Sequence, residues 1–549
     1  MSETRYAIGI DTGGTYTDGV LLNLDDLSVV ATAKSPTTHF ALSNGIALCL
    51  RDIFVASKVK PNEVELVAVS TTLATNAVVE QKGDRVGLIV AGYNKPFTLP
   101  VVTTLFVEGG HTITGDEAKP LDMDSLVRAV SQLQGNVDAY AVCSAMSIKN
   151  PAHEMVMAKA ISMMDPLPTF MSHEVSNRAG MQERAATAVL NARLRPVMDD
   201  FLRGMQETLV MLGLASNVKI IRGDAKAMDI ADTARQAAAT VASGPAATAW
   251  FGLSFAPAPN CIIVDVGGTT TDITMIKDGQ PTLSEDGSHI GAWQTHVDSV
   301  RMSTVGAGGD SQAKVSAEGT LSVGPARVLP LAMAQELPAP GEWLGPGLRT
   351  SMLTIAGDLS GEQAANDPVL AYLFESGPAT PEQLLAHFEM SEITLVNHLH
   401  DLVKGDMAWE TGFTPTDALH VVGELELGNI EAARQGAEIL GAAMGLSGEE
   451  FARQVLVQVS KKIEDGILDH ILAMETGKTL SGFYPEFRHS QVLDIRLGLK
   501  LPLVGIGAAA RLLLPPVAKK LATSVTFPDH FEVGNALGGV LMAAGEGPR

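Results

Sequence analysis

Cysteine is nearly absent: the 549-residue chain carries three, Cys49, Cys143 and Cys261, each alone in an apolar stretch. That spacing excludes a disulfide framework and a CxxC metal site, and it suits buried thiols in a reducing compartment. Positive charge is also short. Lys and Arg total 39 against 62 Asp and Glu, a net charge of −23, so most of the surface repels a phosphate backbone and no nucleic-acid partner is expected. Long apolar runs are missing too. The late stretch Leu501 to Val517 is broken by Arg511 and by Pro502, Pro515 and Pro516, which disqualifies it as a membrane span. Nor does the chain open on a targeting pattern, since Arg5-Tyr6-Ala7-Ile8-Gly9-Ile10 reads as a buried strand. A soluble, cytoplasmic protein is expected. Aromatic residues make up only 5%, whereas Gly reaches 53, Met 22 and hydrophobic residues 46%. Disorder is excluded, and a core of small residues with many tight turns is expected, as in large α/β enzymes. A chain of 549 residues exceeds one ordinary core, so two or more domains are expected.

What is present is a repeated unit. Tyr6–Ile10 reads as a strand, Asp11-Thr12-Gly13-Gly14-Thr15 as a turn, and Thr17–Leu24 as the returning strand. The same order recurs at Cys261–Val264, Asp265-Val266-Gly267-Gly268-Thr269-Thr270 and Thr271–Ile276. Over eight positions the copies differ only at Thr12/Val266 and Tyr16/Thr270. Between them lie further strand candidates at Val64–Ser70, Arg85–Val90 and Asp138–Ser144. A long helix from about Gln182 to Leu212 follows, interrupted by Pro196.

An Asp-x-Gly-Gly-Thr turn has a chemical use. Its glycines let backbone N–H groups approach phosphate oxygens, and its Thr hydroxyls add donors without bulk. The Asp cannot touch phosphate directly and needs a cation between, so holding Mg²⁺ through water is its natural task. Two copies, each flanked by strands, make phosphate binding the reading of choice over an ordinary tight hairpin. Rival motifs fail. Gly477-Lys478-Thr479 resembles a P-loop tail, but Leu472 stands where the earlier Gly belongs. Gly505-Ile506-Gly507-Ala508-Ala509-Ala510 has the spacing of a dinucleotide turn, yet no acidic strand end follows it, so a different nucleotide contact is expected there. His173-Glu174 lacks the second His of HExxH because Asn177 occupies that position, and His289, His296, His398 and His400 read as satisfied or solvated.

Texture changes between Pro325 and about Pro415. After Pro/Gly connectors, Asp367–Phe413 reads as three short helices followed by a strand pair around Met407 and Phe413, a small winged-helix-like insert. Asp367, Glu375, Glu382, Glu389, Glu392, Asp401, Asp406 and Glu410 face only Lys404. A DNA-recognition role is excluded by that charge, and a protein contact or lid is expected instead.

The duplicated turns resemble the actin/Hsp70/sugar-kinase ATPase superfamily. More narrowly the chain resembles the hydantoinase A/5-oxoprolinase family, through residues 9–18, Ser70–Ala77, Glu183–Ala192, Ser243–Ala246, Val264–Asp272, Val305–Ser311, Thr416–Ala418 and Gly534–Gly538. It departs at Asp310, where the family usually has Gly, and in the acidic insert. The resemblance implies an α/β fold of two RNase H-like domains around a nucleotide cleft. The expected boundaries are 1–178 and 179–330, then the insert at 331–413, then 414–549. It implies ATP and Mg²⁺ as cofactors, with Asp11 and Asp265 holding the metal and Asp11, Asp272 and Thr72 acting in catalysis. Thr12, Gly13, Gly14, Thr15, Thr17, Gly267, Gly268, Thr269 and Thr270 would cradle phosphates, and Gly308, Gly309, Gly505 and Gly507 would admit the rest of the nucleotide. Thr71, Thr72, Thr75 and Asn76 would hold the substrate, with plain helix capping as the alternative. The implied activity is ATP-dependent opening of a small cyclic amide, hydantoin- or oxoproline-like. An ATP-dependent carboxylase subunit, a small-molecule kinase and a non-catalytic ATPase switch are the alternatives. A protein partner or homo-oligomer through the insert is also expected.

Overall fold

The computed structural model describes residues 5–13, 16–37, 42–79, 82–214, 217–290, 293–334, 337–356, 359–405, 407–483 and 497–545. Gly14, Thr15 and Asp406 lie outside them. The chain divides into two compact units, the first comprising Met1–Pro259, Ile276–Arg301 and Val533–Arg549, the second Asn260–Met275 and Met302–Glu532.

Ten strands build two sheets in the first unit: β1 (Tyr6–Thr12), β2 (Tyr16–Asn23), β3 (Val29–Pro36), β4 (Val64–Thr71), β5 (Val86–Ala91), β6 (Thr103–Val107), β7 (Ala139–Ser144), β8 (Thr169–Met171), β9 (Asn217–Ile221) and β10 (Ala227–Asp229). The larger sheet runs β10-β9-β4-β1-β2-β3 and the smaller one β6-β5-β7-β8. In the larger sheet β1 pairs antiparallel with β2 and parallel with β4, so its apolar residues are covered on both faces. One of those faces is closed by the helix Gly534–Ala543, a run of small residues that nearly touches the strand. A Cβ at Gly9 would meet the Ala536 carbonyl oxygen at 2.0 Å, and one at Gly538 would meet that of Ala247 at 2.0 Å. Glycine is required at both places because backbone, not side chain, fills the space.

The long helix Met181–Met211 serves both sheets. Its first half, Ala185, Ala188, Val189 and Ala192, lies on the smaller sheet against Leu88, Val90 and Ala141. Its second half, Met198, Phe201, Leu202 and Met205, lies on the larger one against Ile10, Val67 and Val69. Pro196 stands inside the helix where one packing face gives way to the other. A buried polar knot ties the start of this helix to the smaller sheet. Glu154, wholly buried, accepts hydrogen bonds from the Ser144 amide (2.7 Å), Ser172 Oγ (2.6 Å) and the His173 amide (3.0 Å), and lies 2.6 Å from His173 Nδ1. Burial would raise its carboxyl, but these bonds outweigh it and hold the group below its ordinary value. Arg184, also buried, donates to the Ser144 carbonyl (2.8 Å). Thus His173 is engaged by Glu154. The three cysteines are buried and free, and burial pushes the Cys49 and Cys143 thiols to about 12 and Cys261 to about 11.

The second copy of the strand–turn–strand unit forms β11 (Cys261–Val266) and β12 (Thr271–Lys277), whose end pairs with β13 (Gln280–Pro281). A small hairpin, β14 (His289–Ile290) and β15 (Trp293–Gln294), belongs to the first unit. In the second unit β12 pairs with β16 (Met302–Val305), and β17 (Ser311–Val315) pairs with β18 (Leu321–Arg327). Next, β19 (Leu329–Pro330), β20 (Ser351–Ile355) and β21 (Ala408–Gly412) make a three-stranded sheet in the order β19-β21-β20. Finally β22 (Leu503–Ile506) lies parallel to β11 and to β23 (Val525–Thr526). The helix Gly448–Thr476, started by the Ser447/Glu450 capping box, crosses this core with Phe451, Val455, Val459 and Ile463 buried. It ends at Gly477 in a left-handed conformation (φ +70°), a helix stop and not a phosphate loop.

Two expectations are corrected. The units do not break at 178, 330 and 413: β9 follows the long helix yet belongs to the first sheet, and residues 533–549 return to the first unit. The insert is also smaller than 331–413. Leu331, Trp343, Leu344, Met352 and Phe413 are built into the main core of the second unit, whereas Leu353, Leu370, Leu373, Leu384, Leu395, Leu399 and Ala408 make a core of their own. Its helices Pro368–Ser376, Pro381–His387 and Glu392–Lys404 form where expected, each capped by the residue before it, Asp367, Thr380 and Ser391. The expected wing does not form among the described residues. Strand β21 pairs with β20, which precedes the helices, and Phe413 leaves the sheet for the core.

Since Ile355 is paired with Ala408 and the Ala356 amide donates to the Met407 carbonyl (3.1 Å), the chain leaves and rejoins the main core at adjacent points. Replacing residues 357–406 with an Asn-Gly turn should close a β20–β21 hairpin. A soluble protein with cooperative thermal unfolding within about 5 °C of the parent is expected. An aggregated or non-cooperative product would show that the small core is integral to the unit.

Candidate functional site

Both Asp-x-Gly-Gly turns close in the same way. The Gly13 amide donates to the Tyr16 carbonyl (3.0 Å), and the Gly267 amide donates to the Thr270 carbonyl (2.9 Å). Around this shared frame the two copies differ.

In the first unit Asp11 ends β1 almost fully buried. Its Oδ1 accepts a 2.6 Å hydrogen bond from Ser70 Oγ, and its Oδ2 accepts one of 3.2 Å from Asn535 Nδ2. Burial raises its pKa, and these two neutral donors pull it back only in part. Opposite it on β2, Asp18 is bonded to Lys34 Nζ at 2.8 Å. Thr12 Oγ1 is buried and has no hydrogen-bond partner, while Thr17 Oγ1 shares its proton with Thr37 Oγ1 at 3.1 Å. The segment after β4 is tied down mostly within the protein. Thr71 Oγ1 accepts from the Leu73 amide (3.1 Å), which is a cap, and Thr75 Oγ1 accepts from the Ala242 amide (3.3 Å). Thr72 and Asn76 bond each other at 3.3 Å. Of these four, Asn76 is exposed, Thr72 and Thr75 are half-buried, Thr71 is buried, and the Thr72 hydroxyl also donates to the Thr12 carbonyl (3.4 Å).

In the second unit Asp265 is the last residue but one of β11 and has no such neutral partners among the described residues. The Gly507 backbone, left-handed at φ +91°, lies against it, and a Cβ there would stand 2.8 Å from Asp265 Oδ1 and 2.3 Å from the Val266 carbonyl oxygen. Burial, with Asp272 adding repulsion, pushes Asp265 up to about 7. Asp272 is raised by its own burial, against a bond from Thr304, and its Oδ1 is buried with no partner. The amides of Gly268, Thr269 and Thr270 donate to no carbonyl among the described residues. Gly308 and Gly309 serve the turn from behind: the Gly309 amide donates to the Gly267 carbonyl (3.1 Å), and a Cβ at Gly308 would collide with the carbonyl oxygens of Gly267 and Gly268 at 2.4 and 2.5 Å. Gly505 is a packing position. It faces Phe527 and Leu514, 2.5 and 2.8 Å from where its Cβ would be, which requires glycine there for packing.

Ser70, Ser243 and Asn535 were not singled out as site residues by the sequence, although all three lie in stretches that carry the resemblance. Ser243 Oγ donates to the Thr71 carbonyl (2.9 Å) and accepts from its amide (3.2 Å), fixing the end of β4. Asp310 and Thr416, discussed below, are further additions. Among the histidines set aside, His398 lies 2.9 Å from Asp367 and His296 Nδ1 lies 2.7 Å from Ser176 Oγ. No group of three His, Cys, Asp or Glu among the described residues could hold a metal by itself. A hydrated Mg²⁺ needs fewer protein ligands. The unpartnered Asp272 Oδ1 beside Asp265, with free amides on the same turn, fits such an ion with a phosphate. No helix of the described residues is long and apolar enough to cross a membrane.

A carboxylate near the end of a central strand, with a glycine turn beyond it, occurs in each unit of this mixed α/β chain, buried as Asp11 in the first and half-buried as Asp265 in the second. That arrangement places it among proteins built on a duplicated strand–turn–strand element. A family model described as the hydantoinase/oxoprolinase N-terminal region matches residues 7–164, and one described as hydantoinase/oxoprolinase matches residues 184–541. The chain belongs to the hydantoinase/oxoprolinase family. It is 30% identical over 361 residues to caprolactamase subunit alpha of Pseudomonas jessenii, covering 59% of this chain and 51% of that one. It is 28% identical over 365 residues to the acetophenone carboxylase gamma subunit of Aromatoleum aromaticum, covering 58% and 49%. The chain thus matches about half the length of these curated relatives. The crystal structure of ATP-dependent caprolactamase from Pseudomonas jessenii superposes with a TM-score of 0.68 at 23% identity, over 98% of this chain and 70% of that one. Nucleotide-free acetone carboxylase superposes with a TM-score of 0.64 at 17% identity, over the same shares of 98% and 70%. These likenesses establish the fold.

Because Asp265 is raised to about 7, its contribution to stability is complete below an ordinary carboxylate pKa of about 4 and is lost as pH rises through about 7. A divalent cation replaces the proton. Mg²⁺ is therefore expected to raise the melting temperature more at about pH 8 than at about pH 5.5, as followed by scanning fluorimetry. Equal shifts at both pH values would remove the cation from these carboxylates.

Proposed function

We propose that this chain is an ATP- and Mg²⁺-dependent hydrolase that opens a small cyclic amide of the hydantoin, oxoproline or lactam type. The observation that carries the proposal is the second turn: three amides with no acceptor among the described residues, beside two half-buried carboxylates with no cationic partner among them, in a chain whose relative is a caprolactamase subunit. On this reading each sheet with its turn is an RNase H-like half of an actin/Hsp70-type ATPase. Gly268, Thr269 and Thr270 receive phosphate oxygens through their amides, and Asp265 and Asp272 hold the hydrated Mg²⁺. Magnesium supplies charge neutralisation between carboxylate and phosphate.

Phosphoryl transfer depends on positioning and charge more than on covalent help, which suits a site made of glycine amides and carboxylates. Transfer of the γ-phosphoryl group to the amide oxygen releases ADP and makes the ring carbon electrophilic. One water adds there, the C–N bond breaks with a proton going to the ring nitrogen, and a second water releases phosphate from the acyl phosphate to leave the carboxylate. Asp11, held by Ser70 and Asn535, takes the corresponding place in the first unit. Half-buried Thr72 and exposed Asn76, the donors beyond β4, suit the substrate carbonyl. A partner subunit is part of the proposal, since the matched relatives are subunits about twice the matched length. The inert buried thiols support a cytoplasmic setting. A second reading, a subunit of an ATP-dependent carboxylase, draws on the likeness to the acetophenone carboxylase gamma subunit. Both begin with activation of a carbonyl oxygen.

The test is ATP turnover, alone and with hydantoin, 5-oxoproline, caprolactam, acetophenone or bicarbonate, alongside calorimetric titration with Mg-ATP. Stimulation by one cyclic amide is expected, with Asp11→Asn and Asp265→Asn each reducing it by about 10–100-fold. Stimulation only by a ketone with bicarbonate supports the carboxylase. A folded wild-type chain that takes up no Mg-ATP would falsify both.

A further inference from the structure

The loop that supports the second turn also brings a charge to it. The Asp310 amide donates to the Gly268 carbonyl at 2.7 Å, next to the Gly309–Gly267 bond. That docking lays the Asp310 carboxylate on the turn, where a Cβ at Gly268 would lie 2.5 Å from its Oδ2. A carboxylate in that position repels the phosphate that the neighbouring amides invite. Its charge is met by Arg327, which ends β18 and is paired with Ser311 at the start of β17. Arg327 Nε lies 3.5 Å from Asp310 Oδ2, and the Arg327 side chain is 61% exposed against 23% for Asp310. The contact uses the inner nitrogen of the fork. The terminal guanidinium nitrogens make no hydrogen bond among the described residues. A largely exposed pair of this kind adds little to stability, but it holds a cation next to the carboxylate that lies on the Gly268 turn.

We propose that Arg327 is a phosphate ligand of the second turn and that Asp310 is the positioning residue that holds it there. The inference rests on the phosphate reading of that turn. It makes the turn a mixed clamp: backbone amides supply neutral donors, and Arg327 supplies a charged fork that matches phosphoryl oxygens. The rival explanation gives Arg327 no ligand role and leaves it merely cancelling the Asp310 charge.

A double-mutant cycle separates the two, with Mg-ATP and Mg-ADP affinities measured by calorimetry and the fold of each variant checked by thermal melting. Arg327→Gln should weaken Mg-ATP about tenfold, and Arg327→Lys, which keeps the charge without the fork, by less. Asp310→Asn should weaken it about threefold, because the guanidinium loses its anchor. The double variant should stay as weak as Arg327→Gln alone. If Arg327 only neutralises Asp310, removing both recovers wild-type affinity, and that result overturns the proposal. So does an Arg327→Gln chain within about twofold of wild type, or an Asp310→Asn chain that binds more tightly. A wild-type chain without Mg-ATP affinity would instead fell the phosphate reading, and this inference with it.

Discussion

The second turn exists in its observed form because one glycine-rich loop donates its backbone amides to the carbonyls of the other. The carbonyls of Gly267 and Gly268 are satisfied by the amides of Gly309 and Asp310, and the Gly309 carbonyl is in turn held by the Thr416 amide (2.9 Å) and Oγ1 (2.8 Å). Thr416 starts a short helix, Pro415–Val421, whose cap includes the wholly buried Asp417. That carboxylate accepts from the amides of Leu331 (3.1 Å), Ala332 (2.8 Å) and Thr414 (2.9 Å). Burial still pushes it up to about 7 against all of these bonds. With its carbonyls satisfied from behind, the turn keeps three amides unspent. A side chain at Gly308 would break this contact at its centre.

Duplication gave the two turns the same closure but not the same chemistry. Asp11 is surrounded by neutral donors and Asp18 by a lysine, so the negative charge of the first turn is largely answered within the protein. Asp272 has one neutral donor, Thr304, but among the described residues Asp265 has no equivalent of Ser70 or Asn535 and neither has one of Lys34, so much of their charge is left for something else to answer. A pair of carboxylates in that state is stable only with a proton or a cation, which is why the second copy, and not the first, is the stronger metal candidate.

Much of this was legible in the residues. Alternation and turn chemistry located the paired strands at both Asp-x-Gly-Gly turns, periodicity located the long helix through Pro196, and caps located the three insert helices. The failure of Gly477-Lys478-Thr479 as a phosphate loop was readable from its helical surroundings. Other features were not legible, for physical reasons. Asn535 reaches Asp11 across 524 positions of sequence, and no local pattern encodes such a contact. Gly505 looked like a nucleotide glycine, yet its smallness admits Phe527 and Leu514. Leu353 in the middle of β20 and Phe413 just after β21 are both apolar, and only the packing shows that they belong to different cores.

The helix Gly534–Ala543 carries a consequence for biosynthesis. It covers the central strand at Gly9, yet it is made more than 500 residues later in the chain. At ordinary translation rates that interval is on the order of a minute. Throughout it, the first unit must hold its larger sheet with one apolar face uncovered, in a crowded solution where such a face invites aggregation. Chaperone dependence during synthesis, and sensitivity to premature termination anywhere upstream of this helix, are therefore built into the order of the chain.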